Sequence, residues 1–335
     1  MILIVIIVIA LGAGVALTCR GNTNLHDFDT RATLPVRGLA ALLIVLYHVS
    51  LNVPESRFLN LFSGTGALLV SIFFFISGYG LMVSYVNKGR DYLNGFLGHR
   101  FSKLLPPFLI AAIGYEIYQS THPDHSTIAS ITAIAHGGTI LPDSWFVITI
   151  LIYYLLFYLV ARLLRTPVKI VIGLWLTSAA YIALLYFLGW EQYWYITVCV
   201  FNFGTTYALL EYKIKDFFAA HRGALPCVAV LTSILIVACY MISVTMPIFY
   251  LLPLIIVFAI YAMGTLQSRV LAFLGTISYE IYIMQCIWRH KLFATADIHW
   301  LVYLLATLAM TIFTAWLLHR VCKAHIIPTH GKEKE

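Results

Sequence analysis

The amino-acid sequence predicts an all-α, polytopic bundle of transmembrane helices with about 10–11 spans. Three observations predict it: 61% of the 335 residues are hydrophobic, only 10% are charged, and the mean hydropathy is +0.90. A soluble domain has roughly 25% charged residues, and a helix needs about 20 apolar residues to cross a bilayer. The chain therefore has material for about ten spans and little for a soluble domain.

Apolar runs separated by polar or charged loops mark the candidate helices along the chain. The runs at 36–53 and 99–118 are the least uniform, and the run at 246–265 carries Pro247 and Pro253. Each run locates a helix to within about four residues at either end. The eleven candidate helices are 2–18, 36–53, 64–86, 99–118, 145–163, 168–188, 193–210, 225–243, 246–265, 270–288 and 299–319.

The first run, MILIVIIVIALGAGVAL, lacks the basic residues that precede the apolar core of a signal peptide. We therefore expect an uncleaved first span whose short amino terminus faces outward. Residues 1–30 are assigned to this extra transmembrane segment and its linker. Residues 31–322 form the main membrane domain, and residues 323–335 form a cytoplasmic tail.

Loops placed alternately on the two sides of the membrane separate the basic residues. Eighteen of the 21 Lys and Arg residues fall on the side that holds 19–37, and only Arg57, Arg289 and Lys291 fall on the other. Because Lys and Arg accumulate in cytoplasmic loops, the first side is the cytoplasm, where the carboxyl terminus also lies. This asymmetry accounts for the net charge of +7 without a nucleic-acid partner.

Neither the cysteines nor the outer loop predicts a metal site. The six cysteines lie in or beside apolar runs without paired spacing, so we interpret them as small packing residues. The longest outer loop, 119–144, holds His122, Asp124, His125 and His136, but without the spacing and frame of a zinc site. We expect a solvated or acceptor-facing loop there, with a short re-entrant or interfacial helix.

The stretch VRGLAALLIVLYH (36–48) places Arg37 and His48 in an otherwise apolar helix. Eleven residues of α-helix advance about 16 Å and complete about three turns, so the two side chains share one face at opposite depths. Ionisable groups inside a membrane normally face the bundle interior and mark a function. Taken singly, Arg37 would extend to the lipid phosphates of the cytoplasmic leaflet, and His48 would cap the helix at the outer interface. Their common face favours a joint role instead.

The spacing Arg-x10-His resembles the opening signature of acyltransferase family 3, membrane enzymes that O-acylate extracytoplasmic glycans and related acceptors. Later motifs of the family have counterparts in the same order, and the likeness covers about residues 31–322. These stretches are SIFFFISGYGLM (71–82), HRFSKLLPPFL (99–109), SWFVITILIYYLL (144–156) and LGTISYEIYIMQ (274–285). The chain departs from the family at Leu34, often aspartate, at Lys103, often arginine, and at Gln285, often histidine.

The resemblance implies an acyl-CoA donor, acetyl-CoA or a longer relative, and no separate cofactor. Arg37, Arg100 and Lys103 would hold its phosphates at a cationic cytoplasmic mouth through charge-assisted hydrogen bonds. For Arg100 and Lys103 there is an equally good explanation: Lys and Arg are generally enriched at the cytoplasmic ends of transmembrane helices.

His48 is the candidate catalytic residue. An imidazole has an unperturbed pKa near neutrality, so it can remove the proton of a sugar hydroxyl during transfer from a thioester. It can instead accept the acyl group before passing it on. Glu116 is the second catalytic candidate, since a carboxylate at a similar depth could orient the imidazole; its alternative is a headgroup-level glutamate.

Four residues are candidates for transition-state or acceptor contacts. Ser77, Tyr79 and Tyr279 could donate hydrogen bonds to a developing oxyanion, although core packing explains them as well. Glu280 lies nearer the membrane middle, where an unpaired charge is costly, so we expect it to be paired or protonated.

Three functions remain open from the sequence. The first is a membrane O-acyltransferase, in the first place an O-acetyltransferase, that uses cytoplasmic acyl-CoA to modify a hydroxyl of an extracytoplasmic glycan or lipid-linked sugar. The second is a transporter or flippase for a polysaccharide precursor, although such proteins often show paired repeats that are not seen here. The third is a structural partner in a polysaccharide assembly complex. The signature favours a bacterial inner membrane.

Overall fold

The computed structural model describes residues 30–121, 126–134, 137–221, 224–242, 246–264, 268–293 and 299–325. These residues form helices and connections and contain no strand, which confirms the all-α class. The predicted first span and most of the predicted tail lie outside the described residues. The helices are α1 Thr30–Asn52, α2 Gly66–Lys88, α3 Phe96–Gln119, α4 Thr127–Ala133, α5 Trp145–Leu164, α6 Pro167–Phe187, α7 Val198–Ala220, α8 Ala224–Met241, α9 Met246–Gly264, α10 Arg269–Thr276, α11 Ser278–Phe293 and α12 Trp300–His325, with short 3-10 turns at Leu59–Phe62, Gly89–Leu93 and Gln192–Trp194.

Several described helices are long and apolar enough to cross a membrane. Five meet this condition within the described chain, and α10 with α11 would make a sixth if the pair counts as one span. The five segments are Ala32–Asn52, Gly66–Leu93, Trp145–Leu164, Pro167–Phe187 and Trp300–Ala324. A polytopic helical bundle is thereby confirmed, whereas the total of about 10–11 spans stays a prediction.

Three helices extend well beyond their predicted ends. α1 begins at Thr30 rather than 36 and runs through Pro35, α7 continues from 210 to Ala220, and α12 continues from 319 to His325. The added part of α7 carries an ion pair between Glu211 and Lys215, one turn apart, with Oε1 and Nζ separated by 2.9 Å. Hydropathy marks only the apolar part of a helix, so a polar extension held by such pairs escapes it.

The predicted single helix at 270–288 is wrong, because the chain breaks at Ile277 into α10 and α11. Two hydroxyls at the break bond to carbonyls of the preceding turn: Thr276 Oγ1 donates to Phe273 O at 2.6 Å, and Ser278 Oγ donates to Gly275 O at 3.0 Å. Such side-chain bonds offer the backbone an alternative to the regular helix ladder. An apolar count does not detect them.

The described chain forms two compact units. The first contains 30–92 and 159–278, and the second contains 93–158 and 279–325. Of the predicted site residues, Arg37, His48, Ser77 and Tyr79 belong to the first unit, and Arg100, Lys103, Glu116, Tyr279 and Glu280 belong to the second.

In the first unit, α2 packs closely against α7 through glycine. A Cβ atom at Gly78 would collide with the carbonyl oxygen of Phe201, and a Cβ at Gly204 would collide with that of Phe75. Small residues let helix backbones approach in this way inside membranes. The contact fixes the relative position of α2 and α7.

This contact predicts opposite effects for two glycines of α2. Gly78→Ala should lower the stability by about 1–3 kcal/mol because the methyl group forces the helices apart. Gly80→Ala should be neutral or stabilising by up to about 1 kcal/mol, since an added Cβ there meets nothing within 4 Å. Thermal unfolding of the purified variants in detergent measures both, and equal midpoints for the two variants would contradict the close packing.

A second glycine contact joins α1 to α10 in the same unit. A Cβ at Gly38 would collide with the carbonyl oxygen of Leu271, and a Cβ at Gly275 would collide with that of Leu34. The start of α1 is therefore held directly against the helix that precedes the break at Ile277.

The second unit has an aromatic core near the start of α3. The Phe96 ring lies 5.8 Å from the Phe157 ring and stacks at 6.2 Å on the Tyr158 ring, centroid to centroid. Farther along α3, a Cβ at Gly114 would lie 3.7 Å from the side chain of Ile287 on α11. These contacts set α3 beside α5 at one end and beside α11 at the other.

Candidate functional site

His48 lies near the end of α1 and is only 6% exposed. Its ring centroid lies 4.8 Å from that of Tyr47, and a Cβ at Gly66 would collide with the Tyr47 ring. This end of α1 is thus packed against the first turn of α2. Burial beside the Tyr47 ring restricts the rotamers available to the imidazole.

Arg37 occupies the same helix as His48. Because α1 is continuous from Thr30 to Asn52, the two residues lie about 16 Å apart along the axis, about three turns, and share a face. Arg37 Nη2 donates a hydrogen bond of 3.3 Å to Ser278 Oγ, directly after the break at Ile277. The guanidinium is therefore hydrogen-bonded at the break, to a partner 241 residues away that spacing within one helix could not reveal. That the shared face lines a passage stays a prediction.

Ser77 and Tyr79 both lie on α2, where Ser77 is half-buried and Tyr79 is buried. The Tyr79 hydroxyl donates a hydrogen bond of 2.6 Å to Glu211 Oε2 on α7. An oxyanion role for Tyr79 would require the hydroxyl to leave this carboxylate, so the role stays a prediction. Glu211 could not be singled out from the sequence, because it directly follows the apolar run at 193–210. An acidic residue at that place resembles an ordinary loop residue at the end of a helix.

Arg100 and Lys103 are brought together on α3, three residues apart. The Arg100 guanidinium lies over two rings of the second unit, 5.8 Å from the Phe96 centroid and 5.6 Å from the Tyr154 centroid. Such cation–π contacts use the flat face of the guanidinium, while its N–H groups point along the plane and suit phosphate oxygens. Lys103 is exposed. A predicted phosphate-binding role is compatible with both positions.

Glu116 lies thirteen residues beyond Lys103, about 20 Å along α3, and is half-buried. The structure therefore does not bring Glu116 together with the cationic pair on α3. Its neighbour Tyr115 makes an edge contact with His290 of α11, at 5.8 Å between ring centroids. His48 belongs to the other unit, so the predicted orientation of its imidazole by Glu116 stays a prediction.

Glu280 has the partner that its position required. His319 Nδ1 of α12 lies 2.7 Å from Glu280 Oε1, and the Glu280 side chain is 10% exposed. The neighbouring Tyr279 donates its hydroxyl to the carbonyl oxygen of Leu104 at 2.8 Å. Like that of Tyr79, the hydroxyl of Tyr279 thus already donates its proton to another residue of the protein. Its predicted oxyanion role stays a prediction.

A second ion pair, with a buried arginine, was not anticipated from the sequence. Arg289 Nη2 lies 2.6 Å from Asp143 Oδ2, and the Arg289 side chain is 7% exposed. Tyr282 donates its hydroxyl to the carbonyl oxygen of Asp143, whose φ of 62° is left-handed. Arg289 follows the predicted helix at 270–288 and was expected in an outer loop, but it belongs to α11. A long separation in sequence, 146 residues, hides such a pair.

No group of three or more His, Cys, Asp or Glu residues in the described ranges is arranged to hold a metal. The loop residues His122, Asp124, His125 and His136 lie outside those ranges.

Comparison with known proteins identifies the family. A family model described as an acyltransferase domain matches residues 36–320, well over half of the chain. No match was found among curated proteins or solved structures. The matched region contains every residue singled out above from Arg37 to His319, together with the multi-pass helical architecture. The chain therefore belongs to acyltransferase family 3, a family of membrane acyltransferases.

Proposed function

We propose that the protein is a membrane O-acyltransferase, in the first place an O-acetyltransferase. It moves an acyl group from cytoplasmic acyl-CoA to a hydroxyl of an extracytoplasmic glycan or lipid-linked sugar. The observation that carries the proposal is the pairing of a buried His48 with Arg37 on one face of a continuous helix. Family membership supports acyl transfer, and the donor, acceptor and residue roles are our inference.

His48 serves the chemistry in one of two ways. As a general base, its imidazole takes the proton of the acceptor hydroxyl while the oxygen attacks the thioester carbonyl carbon. The C–O bond forms, the C–S bond breaks, and the imidazolium returns the proton to the departing CoA thiolate. As an acyl acceptor, the imidazole first displaces CoA as the thiol, and the hydroxyl then takes the acyl group from the ring nitrogen.

Cationic residues provide the proposed donor site. CoA carries several phosphate charges, and Arg37, Arg100 and Lys103 can each donate charge-assisted hydrogen bonds to them. The contact between Arg37 and Ser278 limits the motion of that guanidinium. The positive-inside rule places these cations on the side where acyl-CoA is made. We therefore infer a bacterial inner-membrane protein with its amino terminus outside and its carboxyl terminus in the cytoplasm.

A transporter or flippase is the second candidate, and one observation favours it. The break between α10 and α11, beside Arg37, is a discontinuity of the kind that forms substrate sites in transporters. Such a protein would move a polysaccharide precursor without changing its covalent structure.

Transfer in proteoliposomes separates the two candidates. Purified protein is reconstituted with glycolipids extracted from its host membrane, and acetyl-CoA labelled in the acetyl group is supplied. We expect label to enter the glycolipid as a base-labile ester, and empty liposomes give the background. Movement of glycolipid across the bilayer with no ester formed would overturn the acyltransferase and establish the transporter.

A further inference from the structure

Helix α12 of the second unit carries a polar stripe. Tyr303, Thr307 and Thr311 are four residues apart, so they lie along one side of the helix. The stripe faces α11, because the Tyr303 hydroxyl donates to the carbonyl oxygen of Arg289 at 3.0 Å. Thr307 and Thr311 have no exposed area. Their hydroxyls have no hydrogen-bond partner among the residues that the structure describes.

The next threonine of α12 shows the usual arrangement. Thr314 Oγ1 donates to the carbonyl oxygen of Met310 at 2.7 Å and accepts from Trp288 Nε1 at 3.0 Å. A threonine hydroxyl in a helix commonly bonds to the carbonyl of the preceding turn. Thr307 and Thr311 do not make this bond, although they belong to the same helix.

The neighbouring helix α11 carries two further polar atoms of this kind. Gln285 is 2% exposed and Arg289 is 6% exposed. Gln285 Oε1 and Arg289 Nε, one turn apart, likewise have no partner in the described part of the chain. Thr307 and Thr311 lie along α12 between Tyr303 and Thr314, the two residues that bond to Arg289 and Trp288 of α11. Four unsatisfied polar atoms thus belong to two helices that contact each other.

Unsatisfied polar atoms inside a protein call for a partner that the chain itself does not supply. In a membrane protein the demand is greater, because the hydrocarbon core offers no water. The set contains one N–H donor, one carbonyl acceptor and two hydroxyls that can do either. The charge of Arg289 is already matched by Asp143 at 2.6 Å, so the set suits a neutral group rather than an anion.

We propose that Gln285, Arg289, Thr307 and Thr311 form the subsite that binds the hydroxyl groups of the acceptor sugar. A sugar ring presents several neutral hydroxyls, each both donor and acceptor. Such hydroxyls would supply the hydrogen-bond partners that these four atoms lack. The proposal rests on the acyltransfer function and adds to it the side chains that recognise the acceptor. It also gives a function to Gln285 and Arg289, which the catalytic proposal leaves unused.

The test uses threonine-to-valine variants of purified protein in nanodiscs. The probe is a tritiated alkyl β-glucoside, a lipid-linked sugar of defined structure. Thr307→Val and Thr311→Val should each weaken glucoside binding by about tenfold, the loss expected for one buried hydrogen bond. In the acetyl-transfer assay the KM for the glucoside should rise by about the same factor, with kcat and the KM for acetyl-CoA within about twofold.

Stability keeps a folding defect apart from a binding defect. Replacing an unsatisfied hydroxyl by a methyl group of equal size should leave the Tm of Thr307→Val and Thr311→Val unchanged or raised. The matched control is Thr314→Val, which removes two satisfied hydrogen bonds. It should lower the Tm and leave glucoside binding unchanged.

Each outcome decides one of the two proposals. Unchanged glucoside affinity with a lowered Tm in Thr307→Val and Thr311→Val would show that buried structural water satisfies these hydroxyls, and would overturn the subsite. Failure of the wild type to bind the glucoside would overturn it as well. Weakened binding in these variants with no acetyl transfer by the wild type would keep the subsite and reject the reaction. Acetyl transfer by Thr307→Val and Thr311→Val with an unchanged KM for the glucoside would keep the reaction and reject the subsite.

Discussion

Replacing His48 by alanine should reduce acyl transfer by about 10²–10⁴-fold, the usual contribution of a positioned general base. The methyl group of alanine can neither accept the hydroxyl proton nor carry the acyl group. His48 is buried near the end of α1, so solvent is poorly placed to replace it. Binding of acyl-CoA should be retained, because the proposed donor contacts belong to other residues. The assay is acetyl transfer in proteoliposomes beside equilibrium binding of labelled acetyl-CoA.

The matched control for this variant is His221→Ala. His221 is exposed in the same unit, directly after α7, and its described side-chain contacts are with Phe217 of that helix. It should transfer acetyl groups at the wild-type rate. Acid quenching of the wild type distinguishes the two routes, since a labelled protein intermediate indicates acyl-histidine and its absence indicates general base catalysis. Ordinary turnover by His48→Ala would reject both routes.

Replacing Arg37 by alanine should raise the KM for acetyl-CoA by about 10–100-fold. A hydrogen bond to a charged group contributes about 1.5–3 kcal/mol, and each 1.4 kcal/mol is about tenfold in affinity. The kcat should change little, because the proposed phosphate contacts are made in the ground state and the transition state alike. The KM of Arg37→Lys for acetyl-CoA should lie between those of the wild type and Arg37→Ala, since the ammonium keeps the charge and loses the planar guanidinium.

The control for Arg37 is Lys169→Ala. Lys169 is exposed at the start of α6 and belongs to the predicted cytoplasmic set, but no donor contact is proposed for it. A similar rise in KM for both variants would indicate a general surface-charge effect. An unchanged KM in Arg37→Ala would leave Arg37 as a side chain that snorkels to lipid phosphates.

The class of the fold could be read directly from composition, because few charges and apolar runs of about 20 residues are typical of a bundle of membrane-spanning helices. The same apolar count could not locate the break at Ile277, which depends on the hydroxyls of Thr276 and Ser278. It could not find the true end of α7 either, because Glu211 and Lys215 stabilise each other outside the apolar run.

For the candidate site, local spacing was informative and distant pairing was not. The face shared by Arg37 and His48 follows from helix geometry alone, since α1 is continuous. A charge such as Glu280 predicts that a partner exists, but not that His319, 39 residues away, supplies it. The Asp143–Arg289 pair was hidden for the same reason. Partners that are distant in sequence are set by how the helices pack against one another. The periodicity of apolar residues within one helix carries no information about that packing.

The two ion pairs of α11 have a consequence for how the protein is made. Only when counted with α10 does α11 reach the length and apolarity of a span. Its Arg289 pairs with Asp143, synthesised well before it, whereas its Glu280 pairs with His319, synthesised after it. During translation α11 is therefore a poor substrate for the translocon until α12 emerges. α11 and α12 should enter the lipid together, so truncation before 319 should leave α11 in the aqueous phase.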